Sequence, residues 1–435
     1  MDYPNETHAA AHNPGLIADW VREDRVHRRV FVDPAVFQQE MDQIFTRGWV
    51  YVAHEAEIPQ PGDFKRARIG LQPVIAVRDH SGQLRVLVNS CRHRGVALCQ
   101  EERGNTRYFS CPYHGWVYDN SGELADLPAP DQQGTHFRKQ DHGLIQPARV
   151  SVRAGFIFAS FNPRVPLLDD FLGVAGKYLD FFVELSPTGR LVIDKGAHKY
   201  AYPGNWKVQV ENSMDGYHPA VVHASFFSDV LKQRIGRDAT GMVDETSPVL
   251  SRAFANGHAL ADYRMVNRGS ILGAKSGDLP ASQVQYRARL VERVGEDRAK
   301  EILYYNGGNG YNLLVFPNLV LIGSQIRTIQ PIAYDLTEVY SAPTLLEGVA
   351  DEINLERLRG HEDFYGPASF GAPDDIEMFV RQWEGLQASC NEWLLYERGM
   401  QIEQRDEEGL VAQCMTETSL RGIWRHYRQA MLDGV

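Results

Sequence analysis

From Trp49 to about Ala154 the chain alternates short apolar runs with turn signals. Val74–Val77 and Leu84–Val88 read as strands, punctuated by Pro61-Gly62, by Asp79 to Gly82 and by Asp119 to Gly122. Several short strands at such close spacing predict a compact all-β module. Ahead of it, apolar Val36, Phe37, Met41, Ile44 and Phe45 recur at helical spacing behind Pro34, which predicts a helix over Ala35–Phe45. Beyond the module the pattern is mixed. Gly155–Phe161, Asn312–Ile322 and Gln325–Ile332 are β-rich, whereas Leu168–Leu185, Gln209–His218, Pro280–Arg298, Ala350–Glu362, Asp375–Tyr396 and Ser419–Leu432 carry helical patterns. Gly236–Ser276 has weak periodicity and many Gly, Asp and Ser residues, and is expected to form a flexible cover over a site. The expected class is α+β: a helical lead-in over residues 1–48, an all-β domain over 49–154 and a larger mixed domain over 155–435.

Composition narrows the function. A formal net charge of −11 opposes a general affinity for nucleic acid. No run approaches the roughly 18 consecutive apolar residues of a membrane span. The polar stretch Met1 to Ala11 lacks the layout of a secretory signal, so cytoplasmic residence is expected. Five cysteines, Cys91, Cys99, Cys111, Cys390 and Cys414, are too few and too scattered for a disulfide framework. Any that matter are expected to be metal ligands or buried thiols.

Two of them are the first candidate chemistry. Cys91-Arg-His93 and Cys111-Pro-Tyr-His114 form C-x-H and C-x-x-H, separated by seventeen residues. Together they offer two thiolates and two imidazoles. Zinc accepts such a set, and so does a Rieske [2Fe–2S] cluster, with cysteines on one iron and histidines on the other. A zinc finger pairs cysteine with cysteine and histidine with histidine. Here each loop donates one of each, as a cluster with chemically different irons requires. Gly95 and Gly115 let the backbone pass close to the sulfurs. Cys99 fits neither pair and reads as a small buried residue.

The second constellation is Asn205-Trp206-Lys207, then Glu211-Asn212-Ser-Met-Asp215-Gly-Tyr217-His218, then His223. Asp215 and His218, three apart, share a face if the helix continues. His218 and His223 lie about 140° apart around an ideal helix, so the helix is expected to end or distort at Pro219 to bring them together. Two histidines and one carboxylate with open positions make the facial triad of non-haem Fe(II) oxygenases.

These motifs together resemble the catalytic α subunits of Rieske aromatic-ring-hydroxylating oxygenases, and the resemblance runs from about Trp49 to the C-terminus. It implies an all-β Rieske domain and a helix-grip catalytic domain. It implies a [2Fe–2S] cluster on Cys91, His93, Cys111 and His114, and a mononuclear Fe(II) on His218, His223 and a late carboxylate. Pro373-Asp374-Asp375-Ile376 matches the segment that supplies this carboxylate, and Asp375 matches the ligand; Asp374 is then a helix N-cap or a group that supports the ligands from behind. Asp215 is implied to bridge a neighbouring subunit's His114 to His218, with Asn212 beside the iron. The implied reaction uses O2 and electrons from a reductase or ferredoxin, ultimately NAD(P)H, to hydroxylate or dihydroxylate an aromatic compound. The stretch Glu362 to Gly371 resembles α subunits that pair with a small β subunit, which favours an α3β3 hexamer over an α3 trimer.

Ala255-Asn-Gly257-His258 and the Tyr311–Ile322 region resemble the benzoate, salicylate and cumate group, which implies an aromatic carboxylate as substrate. An arginine could hold it by a bidentate pair; Arg252, Arg264, Arg327 and Arg421 are candidates. Phe226, Phe227, His258, Leu314, Phe316 and Phe370 are the remaining pocket candidates. A monooxygenase or O-demethylase on the same scaffold shares every motif. A Rieske electron-transfer protein would need no second metal site, and a zinc-stabilised binding module would hold neither iron nor sulfide.

Overall fold

The structure, a computed structural model, describes residues 14–235, 244, 247–264, 279–306 and 310–433. The lead-in begins with the short helices Pro14–Trp20, Arg29–Val32 and Pro34–Glu40, the last continuing into a wider π-type turn, Met41–Phe45. Asp33 caps the third helix by accepting from Ala35 N at 2.9 Å, with Pro34 at the first position, where its missing N–H costs nothing. Phe31, Phe37, Met41 and Phe45 bury against Trp206, Trp424 and Tyr427. The lead-in is thereby part of the catalytic core.

The all-β region has a four-stranded antiparallel sheet in the order Leu84–Val88, Gln72–Arg78, Asp63–Ile69, Arg103–Asn105. A three-stranded sheet, Tyr108–Ser110, Val117–Asp119 and Leu124–Asp126, faces it across a core of Ile75, Val77, Leu87, Phe109, Trp116 and Tyr118. A further three-stranded sheet pairs Val50–His54 with Phe156–Ser160, which in turn pairs with Arg149–Arg153.

Among the described residues, nine strands form the catalytic sheet, all antiparallel. They run His198–Pro203, Leu336–Pro343, Gln325–Ala333, Leu319–Ile322, Tyr311–Val315, Ala259–Asp262, Leu250–Ala253, Leu410–Gln413, Gln404–Arg405. One face packs on the helices Val174–Glu184, Ala281–Val294 and Glu296–Asn306 through Tyr178, Phe182, Leu290, Leu313, Leu321 and Ile326. The other face carries Leu314, Val320, Ile329 and Val339, and receives the helix Trp206–Met214 and the C-terminal helix Thr418–Asp433.

Several expectations need correction. The patterns over Leu168–Leu185 and Pro280–Arg298 are each two helices, split at Gly173 and Gly295, both at positive φ. The pattern Asp375–Tyr396 is a helix only over Ala372–Gly385, followed by the strand Trp393–Leu395. Gly236–Ser276 is not simply a cover. Residues 236–243, 245–246 and 265–278 lie outside the described set, but Leu250–Ala253 and Ala259–Asp262 are interior strands of the main sheet. On the face toward the C-terminal helix their side chains, Ser251, Ala253, Ala259 and Ala261, are small because that helix lies close above them: a Cβ on Gly422 would stand 2.3 Å from Ala253 Cβ. Small residues blur the alternation that usually marks a strand.

Candidate metal centres

The two Cys/His loops are copies of one turn. Cys91 N donates to Val96 O at 2.8 Å and Cys111 N to Trp116 O at 2.7 Å; Gly95 N and Gly115 N return to Cys91 O and Cys111 O at 2.8 and 3.0 Å. Gly95 and Gly115 close these turns at φ +74° and +69°, a region where a Cβ is strained. Both thiols are buried and free of any disulfide. The Tyr118 hydroxyl lies 3.4 Å from Cys91 Sγ and accepts from Arg92 N at 3.0 Å. The loop histidines come forward instead. His93 is exposed, His114 half-buried, and their ring centroids lie 4.6 Å apart. His93 stacks on Trp116 at 5.1 Å, and exposed Tyr113 lies 3.8 Å from His114. Buried sulfurs with outward imidazoles fit a cluster whose histidine-bound iron faces outside.

The second centre depends on a broken helix. Trp206–Met214 is helical, capped by Asn205, whose side chain accepts from Lys207 N at 3.2 Å. The helix stops at Asp215, whose backbone is extended (φ −80°, ψ 114°) and whose carboxylate accepts from Tyr217 N at 2.6 Å. Pro219 then opens a new short helix, Pro219–Val222, at whose end His223 stands. The break therefore precedes His218, four residues earlier than expected. Asp215 and His218 share no helix face, yet His218 Nδ1 lies 3.3 Å from Asp215 Oδ2.

His218 and His223 turn their Nε2 atoms inward, 3.6 and 3.2 Å from Asp375 Oδ1. Their ring planes cross at 77°. Donors that each sit about 2.1 Å from one ion are roughly 3–3.4 Å apart, so this set fits a single metal. Asn212 Nδ2 donates to Asp375 Oδ1 at 3.0 Å and lies 3.3 Å from His218 Nε2. Asp375 is in the first turn of the helix Ala372–Gly385, where a carboxylate is favoured. Burial pushes its carboxyl up, but His223 and His218 outweigh that and hold it below the usual range. Asp374 is not the cap: Gly371 occupies that position, and Asp374 lies in the same first turn.

The base of this centre is tied down twice. Buried Glu40 accepts from Trp206 Nε1 at 2.7 Å and Tyr427 Oη at 2.6 Å and pairs with Lys207. Buried Glu211 accepts from Tyr396 Oη at 2.5 Å and Trp424 Nε1 at 2.7 Å, and burial still pushes its pKa up to about 7. On the outward side, Asp215, His218, Asp375, Tyr396 and Glu417 line a cavity of about 300 Å³.

A second histidine–carboxylate cluster lies at the sheet edge: His198, His361 and Glu362 hold their donor atoms within 4.8 Å of one another. Its two imidazoles stack at 5.1 Å with planes 9° apart. Their in-plane lone pairs run side by side, so they do not converge on one ion. His198 Nε2 instead pairs with Glu362 Oε1 at 2.9 Å.

The pocket candidates separate. Arg252 pairs with Asp262 at 3.2 Å and Asp406 at 2.5 Å, Arg264 with Asp262 at 2.5 Å, and Arg421 with Glu403. These three arginines are spoken for. Buried His258 is also fixed, its Nε2 2.9 Å from Phe171 O and its Nδ1 accepting from Phe316 N at 3.1 Å. Leu314 and Phe316 are buried core residues, with Phe316 against Trp206 and His426. Around His223 the rings are Phe364 at 5.0 Å, then Phe226 4.7 Å from Phe364, with Phe370 6.5 Å and Phe227 5.4 Å from Phe226. Arg327 is different. It is 3% exposed and its Nη1 donates to Ser213 Oγ at 3.3 Å; among the described residues its Nε has no partner and no carboxylate lies within 4.0 Å of it. Tyr365 lies 5.4 Å from its guanidinium and 4.9 Å from Phe364, linking it to the metal side. Phe364, Tyr365 and His361 are not among the pocket candidates of the sequence; their one signal is spacing at i, i+1 and i−3 along a helix that runs on past Glu362 to Tyr365.

Residues 48–145 match the Rieske [2Fe-2S] domain family, and residues 190–433 the ring hydroxylating alpha subunit (catalytic domain) family. The chain is 36% identical over 387 residues to the anthranilate 1,2-dioxygenase large subunit of Acinetobacter baylyi, covering 86% of this chain and 80% of that one. It is 35% identical over 372 residues to the toluate 1,2-dioxygenase subunit alpha of Pseudomonas putida, covering 83% and 79%. Its fold superposes on naphthalene 1,2-dioxygenase with indole bound in the active site, with TM-score 0.77, 27% identity and coverage of 94% and 93%. The cofactors are accordingly one [2Fe–2S] cluster and one mononuclear iron. The chain belongs to the Rieske-type ring-hydroxylating oxygenase family, as an α, catalytic, subunit.

Proposed function

We propose that this subunit oxidises an aromatic carboxylic acid, with the acid group held by Arg327. Arg327 carries the reading: it is a buried guanidinium free of any carboxylate among the described residues, one tyrosine away from the rings beside His223. A guanidinium offers a planar fork that matches a carboxylate, and a buried charge without a counter-ion is costly unless a ligand supplies one. Phe226, Phe364 and Phe370 supply the apolar side for the ring.

His218, His223 and Asp375 hold the iron, and Cys91, His93, Cys111 and His114 the cluster. Once bound, the metals supply stepwise electron delivery and oxygen activation. Asn212 fixes Asp375 Oδ1, and Asp215 sets the orientation of His218 through Nδ1. His114 of the cluster loop is half-buried and Asp215 lines the outward cavity, which supports a contact between the two across copies of the chain. The assembly is a trimer of this subunit, with a small β subunit completing an α3β3 hexamer and a reductase or ferredoxin as electron donor. Residues 1–48, 49–154 and 155–435 are its three divisions. None of the five cysteines is in a disulfide, which suits a reducing cytoplasm.

The test is kcat/KM for benzoate against toluene, in the wild-type holoenzyme and in Arg327→Met. Preference for the acid should fall by roughly a hundredfold in the variant. An unchanged preference would remove Arg327 from substrate binding.

A further inference from the structure

Arg327 has open company on its face of the sheet. Gln325 stands two residues earlier on the same strand, and side chains alternate along a strand, so both point the same way. Gln325 is wholly buried, and among the described residues neither its amide oxygen nor its amide nitrogen has a partner. Above them runs the helix Asp351–Tyr365. Ser324 Oγ donates to Arg357 O at 3.2 Å, one turn before His361, and the Tyr365 ring, one turn after it, lies 5.4 Å from the Arg327 guanidinium. His361 thus sits over the strand segment that carries Gln325 and Arg327. It is 1% exposed, and both ring nitrogens are without a partner among the described residues.

Folded interiors pair nearly all their buried polar groups, so this many open ones around one guanidinium is the pattern of a polar ligand subsite. The chemistry of these groups says more. Burial first, then the charges of His198 and Arg327, press the His361 pKa down to about 4. Its ring is therefore neutral, with one N–H donor and one acceptor nitrogen, and Gln325 adds an acceptor oxygen. An ionised carboxylate only accepts hydrogen bonds. It can satisfy Arg327, but neither the Gln325 oxygen nor the acceptor nitrogen of His361. Those need a donor.

We propose that Gln325 and His361 form a second recognition point beside Arg327. The preferred substrates are then aromatic acids carrying a hydroxyl or amino group on the ring position next to the carboxylate. The proposal rests on Arg327 as the acid anchor and adds the substituent that its neighbours read.

The experiment compares kcat/KM for benzoate, 2-hydroxybenzoate, 2-aminobenzoate and toluene in the purified holoenzyme, with iron content and the cluster's EPR signal as checks on folding. At least one substituted acid should exceed benzoate about tenfold or more. The ratio should fall toward one in His361→Phe and in Gln325→Leu, and recover in part in His361→Asn. If the wild-type enzyme shows no such preference, a result that needs no variant, the proposal is overturned. It is equally overturned if both variants keep the preference. Benzoate turnover that depends on Arg327 without any substituent effect would sink this inference alone. Toluene preferred over every acid would sink the aromatic-acid reading with it.

Discussion

The catalytic domain contains two clusters of the same composition, two histidines and one carboxylate, and they differ in almost everything else. In the first, His218 and His223 cross at 77° and aim Nε2 atoms at Asp375. In the second, His198 and His361 stack with planes 9° apart, and Glu362 is more than half exposed. The contrast arises from backbone. The first pair straddles a helix break at Asp215 and a proline-led restart, which rotates one ring against the other. The second joins a strand residue to adjacent positions on a regular helix, so the rings meet face to face. Coordination follows from where lone pairs point, and composition alone does not specify it.

The comparison breaks most sharply under metal analysis. Wild-type protein should carry about three irons and about two sulfides per chain. His223→Ala should lose about one iron, keep the sulfide and lose turnover. His361→Ala should keep all three irons, because stacked rings do not share an ion. Equal iron loss in the two variants would mean that ring orientation does not separate the clusters.

A smaller effect separates the carboxylates that flank the two sites. Asp215→Asn removes the charge facing His218 Nδ1 and leaves the proposed ligands His218, His223 and Asp375 in place, and turnover should drop roughly 10–100-fold with iron and cluster retained. Glu362→Gln breaks an exposed pair and should change turnover by less than about twofold. If Asp215→Asn instead loses its iron, Asp215 holds the metal site together and is more than a guide for the His218 ring.

The first cluster could be read from the sequence because its parts sit in short local motifs. His218 and His223 are five apart, and the Cys/His loops repeat one pattern twice. Asp375, more than 150 residues away, was found through resemblance alone. The exact break is not legible: the pattern continues through His218 and Pro219 is the evident breaker, whereas the helix ends at Asp215, whose carboxylate accepts from Tyr217 N. The pocket was less legible still. Arg252, Arg264, Arg327 and Arg421 look alike in sequence, and only the positions of Asp262, Asp406 and Glu403 show which guanidinium is left over. Such pairings join residues that are distant in the chain, and local periodicity does not encode them.

The smallest effect concerns stability, and again one cluster should show it while the other does not. Glu211 lies on the helix leading to Asp215, and its surroundings give it a pKa of about 7 in the folded protein. Burial is the main cause, with Asp215 and Glu417 adding repulsion against the bonds from Tyr396 and Trp424. In the unfolded chain a glutamate titrates near about 4.3. Between these values the folded state holds a proton that the unfolded state has released, so stability declines as pH rises through that window. The full cost, up to about 4 kcal/mol, is reached above pH 7 or so. Glu211→Gln keeps an acceptor for both donors and has no proton to lose. Its Tm should therefore fall less than the wild type's between pH 5.5 and 8, whereas exposed Glu362→Gln should follow the wild-type curve. Parallel curves for all three proteins would mean that Glu211 is ionised in the fold throughout, with the Tyr396 and Trp424 bonds outweighing its burial.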